Sequence, residues 1–331
     1  MKIVMKYLLF YFILLAAICL IVLYAIHLHR KHKKSVRPRN KINLEPFFYT
    51  APVFILLVLM FGYPLLNSFI MAFENYKLTE PDRIYINGFD NFTKIFSDSD
   101  FLLIAKNSLI YVVLCVLFQF IFGMILALAL RKKFRGRGVY QAIVFLPWAL
   151  SGFVVGLLFR WSFNGEYGIV NDVLLKMHVI QDRIPWLGTP GYSLLVVIIA
   201  MIWMGIPFFA IMILAALQSI PKEIYEAADM DGCGAIKKFF SITIPFIKPT
   251  IIMTLLLRTI WIFNSFDLIV VITGGGPANT SQTIPSYMYT MAFSSYDFGM
   301  AAALGVVLIM VLGLYSIFFL KMTKYSQAGD F

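Results

Sequence analysis

Apolar residues in this chain come in runs of about 20, the length a helix needs to cross the hydrocarbon core of a bilayer, separated by short charged segments. Seven runs are predicted as spans, at 7–26, 47–72, 102–130, 139–159, 191–217, 250–272 and 299–320. The period-two alternation of a membrane barrel strand is absent, and a helical bundle is the remaining way to satisfy the backbone in lipid. Pro147 and Gly152 inside the fourth run predict a bent helix. The first run resembles a signal peptide in position, but it is long for one and no small-x-small cleavage site precedes the basic segment after it. It is expected as a retained span.

The loops fall into two kinds. Segments 74–100, 160–190 and 273–297 are long and polar but contain Tyr and Phe, with a weakly amphipathic piece at 169–177. Segments 30–41, 131–138, 218–250 and 321–331 hold eighteen Lys and Arg, against nine on the other side, with Arg258 left inside a span. Positive charge concentrates in short cytoplasmic loops, so 218–250 and the carboxyl terminus are expected in the cytoplasm and the amino terminus outside.

Composition narrows the class. Of 331 residues, 60% are hydrophobic and 14% charged, which excludes an ordinary soluble domain. The net charge of +11 does not point to nucleic acid, because the cations sit in the loops that set topology. Cys19, Cys115 and Cys233 are unclustered and are expected as reduced thiols, and His27, His29 and His32 beside the basic run read as part of a solvated anchor rather than a metal site. No phosphate-binding GxxxxGK[ST] loop and no catalytic constellation is present. The chain is therefore expected not to be an enzyme and to hold no cofactor or metal. Any pumping must draw its energy from a partner.

One polar stretch in the C-terminal half, 218–250, does not read as an ordinary loop. Ser219 and Pro221 predict a helix start, residues 222–231 a helix and Gly232 its stop. A second short helix over 235–241 sets Ile236, Phe239 and Phe240 on one face and Lys237 and Lys238 on the other, with Pro245 and Pro249 bracketing the return into an apolar run. Taken alone, this is an amphipathic connector lying on the bilayer surface.

Within it, Glu226-Ala227-Ala228, then three residues, Gly232, nine residues and Ile242-x-Ile244-Pro245 resemble the EAA loop of ATP-binding-cassette importer permeases, with Ile244 where that family usually has Leu. Phe145-Leu146-Pro147-Trp148, Trp161-x-Phe163-Asn164 with Gly168, Pro185-Trp186-Leu187-Gly188, Thr273-Gly274-Gly275-Gly276-Pro277 and Phe298-Gly299 are similar to the binding-protein-dependent carbohydrate-uptake branch, so the resemblance covers about 45–325. It implies an all-α membrane bundle, a six-helix type I importer permease core over 45–331, with an extra helix and basic linker over 1–44. Its home would be the inner membrane of a bacterium or archaeon. The same resemblance implies that Glu226, Ala227, Ala228, Asp229 and Gly232 dock in a cytoplasmic ATPase, and that Trp148, Ser151, Trp203, Gly205, Phe208, Phe263, Asn264 and Asp267 line a sugar path. The implied partners are two ATPase subunits using ATP and Mg, a second homologous permease and an extracellular or periplasmic sugar-binding protein. Arg258 keeps a sugar phosphate or other polar cargo in view, although its plainer role is structural, with the head snorkelling. An ion-coupled transporter would need more intramembrane carboxylates than Asp267, and an enzyme acting on lipid-linked sugars would need paired acids or a metal cluster.

Overall fold

The computed structural model describes residues 45–132 and 134–323. The span expected at 7–26, the basic linker with its histidines, Cys19 and the tail from 324 lie outside them. The chain divides into two compact units between Ile70 and Met71.

The first unit holds an apolar helical rod, α1 (Glu45–Leu57) and α2 (Tyr63–Met71, whose last residue begins the second unit), joined by a π-helical turn at Val58–Gly62. That turn has a cause. Pro64 brings no N–H and its ring would strike the carbonyl of Met60, four residues back, and a wider turn centred on Met60 relieves the clash. The same device recurs at Phe239–Thr243, centred on Ser241 and four residues before Pro245.

The second unit contains α3 (Asp90–Ser97), α4 (Ser99–Arg131), α5 (Arg137–Ala149), α6 (Gly152–Ser162), α7 (Ile169–Lys176) and α8 (Tyr192–Gln218). After these come α9 (Lys222–Met230), α10 (Ala235–Lys238), α11 (Ile244–Asn264), α12 (Asp267–Ile272), α13 (Ile284–Phe293) and α14 (Phe298–Met322). Among the described residues five helices are long and apolar enough to cross a membrane, or six if the bent pair α5–α6 counts as one span. They coincide with the second to seventh predicted runs.

The pair α4 and α8 forms the spine, packing on each other more extensively than any other two helices. Tyr111, Cys115, Val197 and Ile198 close one half of their seam, and Leu130, Phe209, Ile213 and Leu217 the other. At one end of the spine, Arg131 lies 4.2 Å over the ring of Tyr225 in α9. The opposite end clasps the segment 279–287. Asn107 donates to the carbonyls of Asn279 and Thr280 (3.2 and 3.1 Å), Asn279 donates to Asp100 (2.7 Å), and the Tyr287 hydroxyl donates to Asp98 (2.9 Å).

Burial, then the hydrogen bond and charge of Asp98, push the Tyr287 phenol up to about 12. Its folded value is above the unfolded one near 10, so the clasp is fully present below about pH 10 and is lost as the pH rises through 12. Tyr287→Phe is expected to cost about 1 kcal/mol of thermal stability, with the same loss at pH 6 and pH 9, checked by melting the purified protein at both.

Three corrections to the expected elements concern how the spans end. Ser219 does not start a helix: it closes α8, its hydroxyl donating to the Ala216 carbonyl at 2.8 Å, and Pro221 stands at the head of α9. Pro245 and Pro249 do not bracket a return, because α10, the π turn and α11 run on as one helical rod. The loops at 74–100, 160–190 and 273–297 carry their own helices, α3, α7 and α13, the second of them on the weakly amphipathic piece at 169–177.

Candidate functional site: an exposed knob and two broken spans

The helix α9 is short, and the chain holds it from behind. The Tyr225 hydroxyl meets that of Thr243 at 2.9 Å, its ring lies under Arg131, and Lys238 pairs with Asp229. Gly232 has φ +69°, a left-handed value that favours glycine and turns the chain from α9 into α10. Glu226, Ala227, Asp229 and Gly232 are exposed, and Met230 is 89% exposed. Ala228 is only 6% exposed, so of the two alanines Ala227 faces outward and Ala228 faces the chain's own interior. The second helix differs from expectation. Ile236 and Phe240 are exposed, Phe239 alone of the three packs inward, and Lys238 is drawn to Asp229.

Both spans nearest the expected path are broken. The fourth turns by 93° between α5 and α6, where Leu150 and Ser151 are extended and the Ser151 hydroxyl caps α6 by accepting from the Val154 N–H at 3.3 Å. This is a far sharper bend than Pro147 alone predicts. The sixth is interrupted at Ser265–Phe266 before α12. The breaks meet: a Cβ on Gly152 would lie 1.7 Å from Asp267 Oδ2, so the carboxylate sits at the exposed amino end of α6, where helical N–H groups favour negative charge. Interrupted helices at membrane depth persist where protein buries them or where they line water.

The expected path residues divide by surroundings. Asn264 and Asp267 are exposed beside the break and Phe263 is half-buried, packed on core residues. Ser265 donates to Asp267 at 3.1 Å. Trp148 is exposed and lies 6.2 Å from Phe208, which is only 2% exposed. Trp261, a residue the sequence reading passed over, is exposed and lies 5.2 Å from the same ring. Two open indoles thus flank a buried phenylalanine. Trp203 packs on Phe159 at 5.9 Å, and Gly205 is buried.

Arg258 does not snorkel. It is 6% exposed, its Nε donates to Gln119 Oε1 at 2.7 Å, and its guanidinium sits 5.6 Å from the Phe208 ring. Gln119, itself fully buried, donates to the Met201 carbonyl at 2.7 Å. The arginine, the amide and the methionine stitch α11, α4 and α8 together. Gly205 makes room for them, since a Cβ there would stand 2.2 Å from Gln119 Cδ and 2.3 Å from Arg258 Nη2. Among the described residues no carboxylate pairs with Arg258, and it does not pair with Asp267, as nine residues of separation on a helix had indicated.

A multi-pass helical protein with two broken spans packed together and a rigid exposed knob between two spans has the build of a membrane permease moved by a partner. The chain belongs to the family of binding-protein-dependent transport system inner membrane components, whose model matches residues 119–323. It is 36% identical to the sulfoquinovosyl glycerol transport system permease protein SmoG of Agrobacterium fabrum, over 78% of this chain and 83% of that one. It is 31% identical to the trehalose/maltose transport system permease protein MalF of Thermococcus litoralis, over 85% and 92%. The crystal structure of a bacterial ABC transporter involved in importing the acidic polysaccharide alginate has a chain that superposes with a TM-score of 0.73 at 28% identity, over 84% of this chain and 94% of that chain.

Proposed function

We propose that this chain is one of two permease subunits of an ATP-driven carbohydrate importer, and that α9 is the part a cytoplasmic ATPase grips. The observation that carries the coupling role is the asymmetry of α9. Tyr225, Ala228 and Asp229 fasten it to α10, the π turn and the spine, while Glu226, Ala227 and Met230 are left open. A knob so fixed transmits force to α11 and α8 instead of swinging free. ATP and Mg would be bound by two such ATPase subunits, which by closing would tilt the broken spans so that the path opens first outward and then inward.

The knob end is cytoplasmic in this reading, the carboxyl terminus with it. A binding protein delivers the sugar to the opposite end, where 279–287 is clasped by α4. The named relatives carry sugars, both acidic and neutral, and the exposed indoles Trp148 and Trp261 offer the faces on which a pyranose stacks. A sugar phosphate loses its motive, because the Arg258 guanidinium is already engaged by Gln119 and Phe208.

Single cysteines placed at 226–230, in a chain freed of its own cysteines, test the coupling role in assembled membranes. Cysteine at 227 or 230 is expected to cross-link to the ATPase subunit and cysteine at 228 is not. Capture at none of these positions would remove the reading.

A further inference from the structure

A second row of rings starts at the break in the sixth span and runs onto α13. Phe266 stacks on Tyr289, with centroids 5.1 Å apart and planes at 23°. Tyr289 meets Phe293, one turn on along α13, at 4.9 Å. From there the row continues to Phe298 at 6.3 Å and to Tyr76 at 6.2 Å. These rings are not a sealed core: Phe293 is 59% exposed and Phe266 is open as well.

The polar residues at its start say what such a surface meets. Phe266 lies between Ser265 and Asp267 in the chain, and Asp267 is exposed within a span. Ionisable side chains in spans face the bundle interior or water rather than lipid, so this surface is wet. Its platform is also stiff. The start of α13 is capped reciprocally by Thr283 and Ser286, the Ile284 N–H donates to Ser108 of α4 at 2.9 Å, and Gln282 donates to Thr290 at 3.2 Å. Rigid, wetted aromatic faces beside hydroxyl, amide and carboxylate groups suit a ligand that is apolar on its ring faces and polar on its edge. A pyranose is such a ligand.

We propose that Phe266, Tyr289 and Phe293 form a carbohydrate subsite on the outer side of the break, taking a sugar ring before it reaches Trp148, Phe208 and Trp261. With one aromatic platform on each side of the break, the cargo is an oligosaccharide, whose successive rings occupy both. This rests on the reading of the chain as a sugar permease.

The test uses the complete importer in vesicles, offered its binding protein and a mixed pool of neutral and acidic oligosaccharides, with the entering sugar identified by mass spectrometry. For that sugar, Tyr289→Leu and Phe293→Leu are each expected to raise the uptake KM about tenfold and to change the maximum rate less than twofold, with Phe293→Tyr restoring the native KM. The effect is expected to shrink for the corresponding monosaccharide. Unchanged KM in both leucine variants, each with native yield and melting temperature, overturns the subsite alone. An equal loss of rate and affinity for every sugar length overturns it too, because it marks those rings as packing against another subunit. If the wild-type importer takes up no sugar at all, the carbohydrate reading itself fails.

Discussion

Ala227→Arg is expected to abolish uptake while leaving the permease folded. The side chain at 227 is exposed, and surface substitutions on a helix usually change stability by no more than about 0.5 kcal/mol. At a contact buried by a partner, the same change is expected to cost about 2 kcal/mol or more, a loss of roughly 30-fold in docking. Co-purification of the ATPase and uptake should therefore fall together at unchanged melting temperature. Ala228→Arg is the internal control. At 6% exposure that position would have to bury a guanidinium against the chain's own backbone, so yield and melting temperature should drop before docking can be measured. If 227 and 228 behave alike, the assignment of outward and inward faces on α9 is wrong.

The second large effect is expected at the stitch between three spans. Gly205→Ala would put a methyl group 2.2 Å from Gln119 Cδ, and both that amide and the guanidinium beside it are buried, so neither can move into water. Overpacking of this kind costs about 1–3 kcal/mol, and displacing Gln119 strands a charged donor at a further cost of about 1.5–3 kcal/mol. Gln119→Leu alone should reproduce the second loss. The double replacement Gln119→Leu with Arg258→Met is expected to recover most of it, since removing both partners of a buried polar pair can be close to neutral. Thermal unfolding of the wild type, Gln119→Leu, Arg258→Met and the double variant forms a double-mutant cycle, and additive losses would show that the 2.7 Å contact carries no coupling.

How far these residues could be read in advance varies with the range of the interaction that places them. Gly232 was legible, because a stop after a run of helix formers is a local matter and its φ of +69° follows. The 93° turn at Leu150–Ser151 was only half legible: Pro147 announces a bend, but its angle comes from α6 packing on α12, with Asp267 seated where a Gly152 side chain would be. Trp261 was passed over because an indole in an apolar span looks like any other core ring until Phe208 and Trp148 are brought beside it. Helix α13 was hidden by the Pro, Ser and Thr of a segment that reads as loop, although Thr283 and Pro285 form a helix start that a closer search for caps would have found.

By itself the sequence determined six of the spans the structure describes, their order and the position of the knob, because hydrophobic runs and spaced Gly and Ala are properties of neighbours along a chain. Which face of α9 is free, why Arg258 stays inside and which rings stand on either side of the break were decided only by the tertiary structure. Each depends on partners far away in sequence, such as Gln119 for Arg258 and Tyr289 for Phe266, and no periodicity of one helix records what another helix sets against it.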